Sequence, residues 1–131
     1  MENNKYHILI VEDDKEIRDG VEIYLKNQGY QVWKAANGKE GLEIVAQEEI
    51  HLAILDIMMP VMDGYQVLRS IRDLERDHGI SEDDQIKVIM TTALNDEENV
   101  NMAFDLGCSV YSGKPINKEK FDQALKKLGL I

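Results

Sequence analysis

The sequence predicts an α/β domain, doubly wound, with a five-stranded parallel sheet and helices on both faces. Three observations carry this reading. Short segments at His7–Val11, His51–Leu55, Ile86–Met90 and Cys108–Ser112 are mostly apolar and end abruptly in polar or turn residues, and Gln31–Ala35 alternates weakly. Such runs are too short for helices and read as strands, the most apolar of them buried on both faces. Each is followed by a stretch with apolar residues at helical spacing. That alternation belongs to parallel sheets covered by helices. It fills residues 1–131 without a gap, so one domain is expected.

The elements follow in order. The first strand stops at three acids, Glu12, Asp13 and Asp14. Asp14 can cap a helix over Lys15–Asn27, with Ile17, Val21, Tyr24 and Leu25 on its apolar side and Gly29 as its stop. Asn37 caps a second helix to about Glu48, with Glu40 as a capping-box partner and Leu42, Val45 and Ala46 toward the core. The central strand, HLAIL, ends at Asp56, and Ile57 to Gly64 form a loop. Asp63 caps a third helix carrying Val67, Leu68, Ile71 and Leu74, running to about Asp77 before a polar loop. Asn95 and Glu98 form a capping box for a fourth helix with Val100, Ala103, Phe104 and Leu106, stopped by Gly107. Lys114-Pro115 breaks the last strand. Asn117 caps a final helix with Phe121, Ala124, Leu125 and Leu128 inward.

Composition narrows the function. Fifteen Lys and Arg stand against 25 Asp and Glu, a net charge of −10. That disfavours nucleic acid and anionic membrane surfaces, which need clustered basic residues. The single cysteine, Cys108, excludes an internal disulfide and suits a reducing cytoplasm. No signal peptide and no membrane-spanning run is read, and no output domain is expected after Ile131.

The strand ends carry the chemistry. A parallel sheet gathers the ends of its strands along one edge, where ligand sites of open α/β sheets lie. Here that edge collects Glu12, Asp13, Asp56, Thr92 and Lys114. Taken singly, each has a plainer reading. Asp56 serves equally as a turn residue or cap, Thr91-Thr92 as strand-end filler, Lys114-Pro115 as a loop, Tyr111 as core and Met58-Met59 as packing. Taken together, three carboxylates repel one another unless a divalent cation joins them, and all-oxygen ligation suits Mg²⁺. A lysine and a hydroxyl beside them suit a phosphoryl group. An aspartate can itself be the nucleophile.

The motifs IVEDD, LDIMMPVMDG, MTTAL and GCSVYSGKPI resemble those of the receiver domain of a two-component response regulator of the stand-alone chemotaxis type. The resemblance covers essentially the whole chain. It implies a flavodoxin-like (βα)₅ fold with strand order 2-1-3-4-5. It implies that Asp56 is the phosphoacceptor, that Asp13 ligates Mg²⁺ directly, and that Glu12 does so through water. It implies that the Met58 backbone carbonyl is a further ligand. Thr92 and Lys114 would bind the phosphoryl group, Thr92 and Tyr111 would form the switch, and Lys114-Pro115 would be the peptide bond usually cis in this family. The implied partners are a histidine kinase or histidine phosphotransfer protein, and a downstream target. That target would meet the face made by the helix from Asp96 to Leu106, the last strand and the last helix. A phosphorelay intermediate or phosphate sink would carry the same site. The implied protein is cytoplasmic, a monomer or weak dimer, and not an enzyme beyond its own phosphorylation and dephosphorylation. An aspartyl phosphatase fits less well, since the second acid of such enzymes is replaced by Met58. An FMN carrier lacks its glycine-rich phosphate loop after the first strand. Two departures stand out: residues 74–85 are longer than in compact members, and the chain ends just after the fifth helix. The resemblance also implies that Met58 and Leu94 flank the path of an attacking water, so slower self-dephosphorylation is expected than in members with amide or acidic side chains there.

Overall fold

The structure, a computed structural model, describes residues 6–92, 104–105, 107–113 and 118–129. The strands are β1 (His7–Val11), β2 (Gln31–Ala35), β3 (Leu52–Asp56), β4 (Lys87–Thr92) and β5 (Val110–Gly113). They form one parallel sheet in the order β2-β1-β3-β4-β5. The helices are α1 (Lys15–Asn27), α2 (Gly38–Gln47), α3 (Gly64–Asp77) and α4 (Lys118–Lys127), with a short 3₁₀ turn at Glu82–Asp84.

The twofold alternation of strand side chains splits the interior into two cores. Leu9, Val11, Ala53, Leu55, Val88 and Met90 pack with Val67, Leu68 and Ile71 of α3 and with the apolar side of α2. Ile8, Ile10, Leu52, Ile54 and Ile89 pack with Leu25 of α1 and Phe121, Ala124 and Leu125 of α4. Strand β3 has paired neighbours on both sides, and all five of its residues are buried. On the α1/α4 face the Tyr24 hydroxyl donates to Asp122 at 2.6 Å, joining the two helices. Burial, then that carboxylate, pushes the Tyr24 hydroxyl well above its ordinary range. Burial likewise raises the Cys108 thiol to about 11, which leaves it protonated and inert at neutral pH.

The caps follow the sequence reading with one adjustment. Asp14 accepts from the Ile17 N–H and Asn37 from the Glu40 N–H. The Glu40 carboxylate, however, reaches back to the Ala36 N–H at 3.0 Å, one residue beyond the expected position. The full capping box belongs to α3, where Asp63 and Gln66 bond each other's backbone reciprocally. Strands β4 and β5 extend past the expected ends to Thr92 and Gly113. Ala46, expected toward the core, is exposed, and Phe104 of the expected fourth helix is 45% exposed. Phe104 and Asp105 are helical, and Gly107 has the positive φ (96°) of a helix stop. The other residues named for the expected fourth helix, Asn95, Glu98, Val100, Ala103 and Leu106, lie outside the described residues, as does Asn117.

The long polar segment after α3 conceals a buried anchor. Glu75 is 6% exposed. Its carboxylate accepts from Arg72 Nη1 at 2.7 Å and from the Ile86 N–H at 2.6 Å. Arg72 also donates to the carbonyls of Ile86 and Gly107 at 2.9 and 2.7 Å. One ion pair thus ties the end of α3 to the entrances of β4 and β5. Removing one member leaves the other charge unpaired in the interior, a change that costs roughly 3–5 kcal/mol in buried pairs. Glu75→Ala is therefore expected to lower the unfolding free energy by about 3 kcal/mol, with Glu75→Gln milder. Urea denaturation of the three proteins checks this, and a loss under about 1 kcal/mol for Glu75→Ala would contradict it.

Candidate functional site

The carboxyl edge of the sheet holds Glu12, Asp13 and Asp56. Each offers a carboxylate oxygen, and the three oxygens lie within 4.8 Å of one another. The backbone places them. The Glu12 N–H donates to the Ala35 carbonyl at 3.1 Å, carrying the β1–β2 pairing one residue further. Arg18 of α1 donates to the Glu12 carbonyl at 2.8 Å, and the Glu12 carboxylate accepts the Asp14 N–H at 3.1 Å. Asp13 is exposed between them, while Glu12 and Asp56 are 4% and 1% exposed. The site thus opens to solvent on the Asp13 side.

Asp56 ends the most buried strand, and its Oδ1 accepts the Met58 N–H at 3.2 Å. The Ile57 N–H donates to the Thr91 carbonyl, and the Gly64 N–H donates to the Ile57 carbonyl at 3.0 Å. Gly64 is required here by space alone: an added Cβ would lie 2.6 Å from the Asp56 carbonyl oxygen and 2.9 Å from Ile57 Cα. The start of α3 therefore rests directly on the strand end that bears Asp56. Neither this contact nor the Arg18 bond was legible in the sequence, where Asp63-Gly64 reads as turn chemistry.

The other expected residues divide. Thr92 closes β4, is 1% exposed and lies in register with Gly113. Its neighbour Thr91 faces Asp56 in register, and its hydroxyl donates to the Leu55 carbonyl at 3.4 Å. Tyr111 is half-buried in β5, beside Met90, against the α2/α3 core. The Met58 side chain is 59% exposed beside Asp56. Lys114, Pro115 and Leu94 lie outside the described residues.

Chemically, three clustered carboxylates with only oxygen donors fit a hard divalent cation. The exposed Asp13 would give such an ion a route in. Residues 8–126 match the family described as the response regulator receiver domain. The chain belongs to that family. Among curated relatives it is 34% identical to the transcriptional regulatory protein AfsQ1 of Streptomyces coelicolor over 119 residues, covering 91% of this chain and 49% of that one. It is 36% identical to the transcriptional regulatory protein GltR of Pseudomonas aeruginosa over 128 residues, covering 98% and 50%. The receiver-family chain thus spans about half the length of these relatives. In structure it is similar to the chemotaxis protein CheY4 of Vibrio cholerae, with a TM-score of 0.81, 25% identity and coverage of 93% and 97% of the two chains. It is also similar to a chain from a co-crystal of the Saccharomyces cerevisiae histidine phosphotransfer protein Ypd1 with the receiver domain of Ssk1. There the TM-score is 0.83, the identity 26%, and the coverage 90% and 84%. The doubly wound order expected from the resemblance is the order found. Among the described residues no helix is long and apolar enough to cross a membrane.

The loop after Asp56 carries local strain. Val61 has φ of 72° and is 99% exposed, and the Met62 N–H closes onto the Pro60 carbonyl at 2.8 Å. This is a three-residue γ-turn of the rare hand, costly for a β-branched residue. Val61→Gly removes that cost and sacrifices no packing. It is expected to raise stability by about 0.5–1 kcal/mol after the entropy of glycine is counted. Thermal unfolding measures it, and a destabilised variant would show that the turn is relaxed.

Proposed function

We propose that this receiver domain accepts a phosphoryl group on Asp56 from a phosphohistidine donor and signals through a change in partner affinity. The observation that carries the reading is the trio of carboxylate oxygens within 4.8 Å at the end of the central strand. A carboxylate oxygen of Asp56 attacks phosphorus, and the bond from phosphorus to the donor imidazole nitrogen breaks. The electron pair stays on that nitrogen, which takes up a proton, and the product is an aspartyl phosphate. Asp13 and Asp56, the Met58 carbonyl and, through water, Glu12 would hold a Mg²⁺ ion that offsets their mutual repulsion and the charge on the phosphoryl oxygens. The residues present fit such an ion, since all are oxygen donors and two sit on backbone held by hydrogen bonds.

Thr92 and Lys114 are assigned to the phosphoryl oxygens, and Thr92 with Tyr111 to the switch. The engagement of the Thr91 hydroxyl by Leu55 supports choosing its neighbour. Phosphorylation would bias two packings of Thr92 and Tyr111, a population shift read by a target on the face of β5, α4 and the helix before them. The structural likeness to a receiver crystallised with a histidine phosphotransfer protein supports a partner of that class, and with it a relay role as the second reading.

Incubation with acetyl phosphate and Mg²⁺ is expected to add one phosphoryl group to the protein and none to Asp56→Asn, by intact mass. Equal modification of both removes Asp56 from the role. The lifetime of the product depends on placing a water in line with the phosphorus. The Met58 side chain offers that water no hydrogen bond. Met58→Asn is expected to speed decay of the phosphoprotein severalfold, and an unchanged decay rate would take Met58 out of that control.

A further inference from the structure

The sheet edge opposite Asp56 holds a second group of ligating side chains. His7 opens β1, His51 immediately precedes β3, and Glu49 lies in the loop that delivers His51. The three offer donor atoms within 4.8 Å of one another. Strand pairing sets this spacing, because the His51 N–H donates to the His7 carbonyl at 2.9 Å and the two rings lie 5.2 Å apart. The Glu49 and His51 side chains are 78% and 31% exposed, so a dissolved ion can reach them.

The hydrogen bonds assign the ring protons. The Glu49 carbonyl can only accept, so its 2.7 Å contact with His7 puts a proton on His7 Nδ1 and leaves a lone pair on Nε2. A carbonyl partner of this kind orients imidazoles that bind metals through the other nitrogen. His51 Nδ1 accepts the His7 N–H at 2.9 Å, so its proton sits on Nε2, which faces Glu49 Oε1 at 3.3 Å. Ligation through His51 Nε2 moves that proton to Nδ1 and gives up the bond from the His7 amide.

We propose that His7, Glu49 and His51 form a second metal site, selective for imidazole-preferring divalent cations such as Zn²⁺. Two imidazoles and one carboxylate suit such ions, whereas the acidic cluster beside Asp56 offers only hard oxygen donors. Three protein ligands leave a further position for water. An ion there clamps the start of β1 to the start of β3, independently of phosphorylation.

The test is a Zn²⁺ titration in millimolar Mg²⁺, followed by calorimetry and by amide NMR. One saturable event is expected, with affinity lowered about tenfold or more in Glu49→Ala and His7→Gln and unchanged in Asp13→Ala. The His7 amide resonance should move as its acceptor is lost. Glu49 is exposed, so Glu49→Ala keeps its fold. Absence of saturable binding, equal affinity in Glu49→Ala, or loss of binding in Asp13→Ala overturns the site.

Discussion

The burial of β3 on both faces is the constraint on which the carboxyl edge depends. Only a strand with paired neighbours on each side and helices above and below can lose every residue to the interior. Its last residue is then an aspartate held where water barely reaches. A carboxylate so placed needs company, and the parallel register provides it, because β1 ends beside β3 with Glu12 and Asp13 in hand. The helix that follows could not begin so close to this strand end if Gly64 carried a side chain. Packing demand and chemical placement are here one requirement.

Much of this was legible in the sequence. Four strands were visible as apolar runs and β2 as a weak alternation, and Asp14, Asn37 and Asp63 were visible as caps because capping depends on one side chain and its nearest backbone. The acids at the strand ends were visible because topology alone gathers them. What escaped notice depends on distance in space rather than in sequence. Glu75 sits in a polar stretch and reads as solvated, yet Arg72 and the Ile86 amide draw it inside. Ala46 and Phe104 fit helical periodicity, yet both are exposed. Strand ends shifted by one or two residues, since ladder bonds continue past the last apolar side chain.

The opposite edge has its own character. Behind the Glu75 anchor, Val45, Ile50, Leu74, Ile80 and Ile86 line an open groove of about 550 Å³ that also reaches His51 and His78. The length of residues 74–85 thus resolves into a helix end, a buried ion pair and one 3₁₀ turn, not an unstructured excursion. The two edges are built differently: carboxylates on short turns at one, imidazoles and aliphatic side chains at the other.

The division of the interior by the sheet has a consequence for how such a chain can change. Among the described residues the α2/α3 core and the α1/α4 core share no buried side chain. Substitutions at Leu68 and at Leu25 therefore communicate only through strand backbone, and their energetic effects should combine almost independently. A lineage can remodel one hemisphere of the molecule, volume for volume, without renegotiating the other.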